Sequence, residues 1–385
     1  MTPFETAPPA PAPAQYADNP RRHSKKWQEC PPGGIPLDLA DMDFPTDPAV
    51  TDTVRRRLRH PLGYPPHYTT NGTAQTICDY YAAHHGLTLA PADVWLTSSC
   101  VAAAYLLFDQ LLCPGDEVLY FSPSYHFIPD AIAAAGGRPV GVPLRPDGTL
   151  DQSVAARLTK RTRAFHLCNP HNPTGYAFTC EELRQLARLA REHDLSIISN
   201  ELHSRLILEG DHTPIAALGE DARARTITLS GPTKSHNLSG LGVAFALTPA
   251  EGPLKDAIRR IGPRMTVPKG VQQAALTAAY AEDSPWLRGT RAYLRGNRDT
   301  MVRILRDLAP TVRVRPPRAT YFLWLDLRRL RLREDAAGLI ERRTGVRLLS
   351  GREFGSDGRH WARMTFATDR GLLEEAVHRI ASGAL

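Results

Sequence analysis

One lysine stands out by its setting. Lys234 follows a short apolar run, Thr226–Leu229, within Ser230-Gly231-Pro232-Thr233-Lys234-Ser235-His236-Asn237. It is one of six lysines (Lys25, Lys26, Lys160, Lys234, Lys255, Lys269) and the one flanked by Ser, Gly and Thr at a candidate strand end. Desolvation there lowers an amine's pKa and makes it a nucleophile toward an aldehyde. The adjacent hydroxyls suit a phosphate. Three further polar segments occupy comparable places. Asn169-Pro170-His171-Asn172-Pro173-Thr174-Gly175 follows Ala164–Cys168, and its Asn-Pro steps and Gly make a rigid turn that aims one amide into a cleft. Asn200 and His203 follow Ser196–Ser199 and reach one ring if the chain begins to coil there; alone, such a His is more often simply half-buried and satisfied. Thr97-Ser98-Ser99-Cys100 stands before an Ala-rich helix, where backbone N–H groups bind phosphate, although Ser at a helix start is usually only a cap.

The elements that would position these residues can be read from periodicity. Short apolar runs at Val94–Leu96, Val118–Phe121, Pro139–Pro143, Ala164–Cys168, Ser196–Ser199, Thr226–Leu229 and Val243–Leu247 alternate with helical patterns such as Cys100–Leu112 and Cys180–His193. Thr179 with Glu182 forms a capping box before Leu183, Leu186, Ala187 and Ala190 on one face. Such alternation predicts an α/β fold with a mostly parallel seven-stranded sheet between helices, binding its ligand at the carboxyl ends of the strands. A long helix over about 285–308, strands at Thr320–Leu327 and Trp361–Phe366, and a helix near Leu372–Ile380 predict a smaller α/β C-terminal domain. The expected organisation is a mobile Pro/Ala-rich arm (1–20), a segment packing with the small domain (21–49), a large domain (50–284) and a small one (285–385).

Composition narrows the function classes. The 385 residues, 42% hydrophobic and 23% charged, are ordinary for a globular protein of more than one unit. No apolar run is long enough to span a bilayer and no secretory signal is visible, so a cytoplasmic protein is expected. The net charge of +7 comes from dispersed arginines; the densest group, Arg55, Arg56, Arg57 and Arg59, reads as one helix's polar face, and no basic stripe carries stacking aromatics. Nucleic-acid binding is not expected. Cys30, Cys78, Cys100, Cys113, Cys168 and Cys180 form neither a CxxC pair nor a zinc pattern, so neither a metal site nor a disulfide framework is expected.

Taken together, these segments resemble fold-type I enzymes that use pyridoxal 5′-phosphate (PLP), and more narrowly the MalY/PatB group of cystathionine β-lyase-type C–S lyases. The likeness runs through Lys26-Trp27, Ala40-Asp41-Met42-Asp43-Phe44, Gly63-Tyr64, Pro123-Ser124-Tyr125, the Asn169–Gly175 loop, Lys234, Thr320-Tyr321 through Trp324-Leu325-Asp326, and Gly351 through Phe354-Gly355 to Arg363. The resemblance implies roles. Lys234 would hold the cofactor covalently and later shuttle the Cα proton. Tyr125 would stack on the pyridine ring, and Asn172 and His203 would approach its 3′-oxygen, with Asn172 also holding substrate. Arg363 would grip the substrate carboxylate. Ser99, Cys100 and Thr233 would cradle the phosphate, and Tyr64 would reach the phosphate of a second subunit, implying a homodimer.

Two departures bear on the reaction. No Arg follows Lys234 within Ser235–Ala246, whereas aminotransferases of this superfamily usually carry one there as a phosphate ligand. Asn200 stands where the family has the Asp that keeps the pyridine nitrogen protonated, which implies a weaker electron sink. His236, where the group has an aromatic residue, and Thr365, where it has Asn, suggest an adapted substrate pocket. The expected activity is β-elimination from an S-substituted L-cysteine to thiol, pyruvate and ammonia, in specialised natural-product metabolism. The alternatives are a decarboxylating oxidative deaminase or aminotransferase of a cysteine conjugate, similar to PLP enzymes of lincosamide antibiotic pathways, and a PLP-containing regulator that binds a partner protein.

Overall fold

The computed structural model describes residues 24–145, 149–248, 251–355 and 358–383. The expected arm at residues 1–20 lies outside them. Seven apolar runs form one sheet: β1 (Val94–Thr97), β2 (Glu117–Ser122), β3 (Arg138–Pro143), β4 (Thr162–Cys168), β5 (Ser196–Asn200), β6 (Thr226–Ser230) and β7 (Ala244–Leu247). Their spatial order is β1-β7-β6-β5-β4-β2-β3, and all neighbours are parallel except β7, which runs against both β1 and β6. Burial on both faces explains why the inner strands read as apolar runs, while β3, at the sheet edge, is only partly buried. Ile198, Ile227 and Leu229 pack with the helix Cys100–Leu111 on one face. Ile197, Leu167 and Phe165 pack with the helix Cys180–Glu192 on the other. In register, Cys168 lies beside Asn200 and Asn200 beside Leu229, so three strand ends finish together.

The helix Pro285–Leu308 opens on Ser284, whose Oγ accepts from the Leu287 N–H, with Pro285 at its first position. It leads into a four-stranded antiparallel sheet ordered Leu349–Ser350, Trp361–Thr365, Phe322–Asp326, Arg313–Val314. The strand expected from Thr320 begins at Phe322 instead. Thr320 sits at φ 69, in the left-handed region, and its hydroxyl accepts from the Phe322 N–H. The last helix, Arg370–Gly383, is longer than the apolar pattern suggests.

Residues 35–44 pack against the four-stranded sheet and its helices. Ile35–Pro36 pairs with Val346–Arg347, and Ile35, Leu37, Met42 and Phe44 join the core of Leu294, Met301, Phe322 and Leu325. Of the arginine cluster, Arg55, Arg56 and Arg57 fill the last turn of the helix Pro48–Leu58, where positive charge suits the helix dipole. Among the described residues no helix is long and apolar enough to cross a membrane.

Candidate active site

Two loops and a strap build the cleft. Asn169–Gly175 is folded on itself: Asn169 Oδ1 accepts from the Phe178 N–H (3.2 Å) and His171 Nδ1 meets Thr174 Oγ1 (2.9 Å). Gly175 ends the loop at φ +66, and a Cβ there would lie 2.3 Å from Pro317 Cβ, so only Gly allows this loop to touch the small domain. The strap is Asp38–Phe44. Asn237, in the left-handed region at φ 57, donates through Nδ2 to the carbonyls of Met42 (3.0 Å) and Phe44 (3.1 Å) and accepts from the Met42 N–H (3.1 Å). The buried Lys26 ammonium reaches Asp43 (3.0 Å) and the Asp41 carbonyl (3.0 Å), and Trp27 Nε1 donates to Asp43 (2.9 Å). Lys26-Trp27 and Asp41–Phe44 are thus fastenings of one element.

Against this strap stands Lys234. Its Nζ donates to the Ala40 carbonyl (2.9 Å) and lies 3.3 Å from Ser239 Oγ. Burial pushes its pKa down to about 8; Asp41 pulls the other way, and the Arg363 charge adds to the lowering. Arg363 is buried on the strand Trp361–Thr365, its Nη1 donating to Asn172 Oδ1 (3.0 Å) and its Nη2 to the Asp38 carbonyl (2.9 Å). Its guanidinium lies over Phe322 (4.1 Å) and near Phe354 (5.4 Å). Burial lowers its pKa to about 10, which leaves it charged at neutral pH. Two N–H groups are engaged and the rest of the fork remains for an anion.

His203 is buried between Tyr321 and Phe322. Burial, then the charges of Lys234 and Arg363, pushes its pKa down to about 3, so the ring is neutral, and its Nδ1 has no protein partner among the described residues. Tyr125 packs on Phe354 at 5.9 Å, and burial raises its hydroxyl's pKa while Arg363 opposes this.

Asn200 has a more particular arrangement. Its Oδ1 accepts from the Leu202 N–H (3.2 Å). A backbone N–H can only donate, so the oxygen is the atom turned to it and the NH2 is left to face outward. Strand alternation sets Asn200 on the same sheet face as Ile198, above the helix Cys100–Leu111. At that helix's start Ser99 Oγ accepts from the Ala102 N–H (3.0 Å), while the Cys100 thiol turns inward to the Ser230 carbonyl (3.7 Å) with its pKa pushed up to about 12. The N–H groups of Cys100 and Val101 are left for a ligand. Thr233 is partly exposed beside Lys234.

His236 is a correction. Expected to contact substrate, it is fully buried, with Nδ1 2.8 Å from Ser235 Oγ and its ring stacked on Trp286 at 6.0 Å. It packs as an aromatic residue would, inside the lysine loop. Thr365 is likewise fully buried, its hydroxyl without a partner among the described residues. Tyr64 is not in the cleft of its own chain: it is 99% exposed. Asn237 and Ser239 were missed by sequence reasoning; an Asn three residues after the lysine, tolerant of positive φ, was the available signal for the first.

Comparison with known proteins decides the family. Residues 34–380 match aminotransferase class I and II. The chain belongs to that family. Over 368 residues this class I and II member is 28% identical to cystathionine beta-lyase PatB of Bacillus subtilis, covering 90% of the chain and 91% of PatB. It is 32% identical to the arginine–pyruvate transaminase AruH of Pseudomonas aeruginosa over 352 residues, 90% of the chain and 88% of AruH. The PLP-bound C-S lyase of Staphylococcus hominis superposes with a TM-score of 0.83 at 25% identity, covering 91% of each chain. The donor set of this family member fits a phosphorylated pyridine aldehyde. Lys234 offers a low-pKa amine, the helix start offers N–H groups, and His203 Nδ1 and Arg363 Nε are buried polar atoms without protein partners among the described residues.

Proposed function

We propose that the protein is a pyridoxal phosphate-dependent C–S lyase that converts an S-substituted L-cysteine and water to a thiol, pyruvate and ammonia. The observation that carries this reading is Lys234, an amine with a pKa near 8 facing the half-free fork of Arg363. When bound, the cofactor supplies an aldehyde for amine capture and a conjugated ring for the electron pair released at Cα. The Cys100 and Val101 N–H groups, with Ser99 and Thr233, would hold its phosphate, Tyr125 would lie on its ring, and Asn172 and His203 would face its 3′-oxygen. Arg363 holds the substrate carboxylate and so orients Cα toward Lys234. The Lys234 amine takes the Cα proton, and the C–S bond breaks as thiolate leaves Cβ. The missing Arg after Lys234, and the C–S lyases among the relatives, support elimination over transamination. We further propose a cytoplasmic homodimer. Tyr64, with Leu62 63% and Leu58 53% exposed nearby, offers an apolar segment suited to a second subunit's phosphate site.

Purified protein loaded with pyridoxal phosphate and given S-substituted cysteines should release thiol and pyruvate in equal amounts. No thiol, no pyruvate and no substrate-dependent spectral change would refute the reading. A second reading, decarboxylating oxidative deamination of a cysteine conjugate, draws on Asn200, whose NH2, with the oxygen turned to the Leu202 N–H, favours an unprotonated ring nitrogen and a weaker sink. Carbon dioxide release with oxygen uptake and an aldehyde product would select it.

A further inference from the structure

A cavity of about 1030 Å³ opens between the domains, next to the lysine cleft but not lined by Lys234, Asn172 or Arg363. Its charge is one-sided. Among the described residues Arg145, Arg313, Arg315, Arg318, Arg328 and Arg352 line it against one carboxylate, Asp326. That carboxylate is already held by Arg328 through Nε (2.9 Å) and Nη2 (2.8 Å), and Arg352 lies 3.7 Å from Asp335. Among the described residues Arg145, Arg315 and Arg318 form no ion pair, and Arg313 lies opposite Asp326 in the sheet, where its charge acts on the carboxylate that Arg328 already holds. Like charges gathered in a recess repel one another, and an anion there relieves the repulsion of all of them at once.

One part of the remaining wall is aromatic. Trp324 and Trp361 stack at 5.4 Å and 11°, and Phe354 meets Trp324 edge-on at 5.3 Å. Phe354 also joins the cavity to the active site. Its other contacts are the Arg363 guanidinium and Tyr125, and Trp324 lies opposite Arg363 in the sheet. One aromatic ring therefore separates the place of the substrate carboxylate from the arginine-lined space.

We propose that this cavity is a subsite for the part of the substrate beyond sulfur, and that it selects a ring-bearing S-substituent carrying a carboxylate or phosphate over a neutral one. The inference rests on the C–S lyase reading and adds the chemical class of the leaving group. Guanidinium forks recognise such anions, and the cluster of Trp361, Trp324 and Phe354, with the Arg328 guanidinium over Trp361 at 4.9 Å, lines the aromatic side against which the ring would pack.

The test compares S-phenyl-L-cysteine with S-(4-carboxyphenyl)-L-cysteine on the cofactor-loaded protein. The anionic conjugate should have a kcat/KM higher by about tenfold or more, the effect of one charge-assisted contact. The advantage should shrink with added salt and vanish in R313A/R315A/R318A, with the neutral conjugate unaffected. Equal kcat/KM for the two, or equal loss of both in the variant, overturns the proposal. Calorimetric titration with unreactive 4-(methylthio)benzoate is independent of turnover. Binding that the triple variant abolishes supports the subsite, and binding it leaves unchanged overturns it. If neither conjugate turns over, the lyase reading fails while the calorimetry still decides the subsite. Should the triple variant not fold, the single Arg315→Gln replaces it with the same readouts, each reduced in size.

Discussion

Arg363 and Asn172 meet across the domain boundary, the Nη1 of one donating to the Oδ1 of the other over 3.0 Å. With Nη2 fixed on the Asp38 carbonyl, the guanidinium is oriented before any substrate arrives. Arg363→Lys keeps a charge but loses the planar fork. Its expected effect is a rise in KM on the order of 10–100-fold, corresponding to about 1.5–3 kcal/mol for a charged hydrogen bond. Steady-state kinetics on an S-substituted cysteine would show it, and an unchanged KM would remove Arg363 from carboxylate binding.

The lysine gives a pH dependence with a definite sign. Below about pH 8 the Lys234 amine is protonated and cannot attack an aldehyde; above it the amine is free. Capture of added pyridoxal phosphate by cofactor-free protein should therefore quicken as pH rises through 8 and then level off. Stopped-flow absorbance of the imine band measures this. A rate still climbing toward the usual 10.5 contradicts the lowered pKa.

Asn200→Asp tests the ring-nitrogen argument. A carboxylate can still accept from the Leu202 N–H with one oxygen while its other oxygen replaces the NH2. Protonation of the facing nitrogen then becomes favourable. With nitrogen-15-labelled cofactor, the ring resonance should move from the unprotonated to the protonated range and the product ratio should change. If the resonance stays put, Asn200 does not set the protonation state.

A stability prediction concerns the capping box. Thr179 Oγ1 accepts from the Glu182 N–H (3.2 Å), and Thr179→Ala should cost about 1 kcal/mol in denaturant unfolding. Glu182 accepts from Thr179 N and Oγ1, Tyr176 OH and Leu150 N, all within 2.9 Å. Glu182→Ala should cost more, about 2–3 kcal/mol, because several donors lose their acceptor. Equal losses for the two would show that the box alone matters.

The seven strands were legible because their apolar runs are short, mostly buried and separated by helices; Thr179 and Glu182 mark one helix start. The expectations for Lys234, Asn172 and Asn200 rest on the same pattern, since each ends or follows an apolar run with a side chain unsuited to a core. What spacing could not show was which side of a loop turns inward. His236 lies two residues from Lys234, yet it faces Trp286 in the interior. Nor could it bring together Arg145, Arg313 and Arg352, which meet only once the domains are packed. Thr320 delayed a strand's start through a backbone angle that its side chain does not announce.

The Ala40 carbonyl accepts from two donors, Lys234 Nζ at 2.9 Å and Tyr321 OH at 3.0 Å. A backbone oxygen with both lone pairs used can surrender one bond and still be satisfied. The lysine can therefore swing away to another partner without stranding the oxygen it leaves. Tyr321 keeps that oxygen in place while the amine is elsewhere.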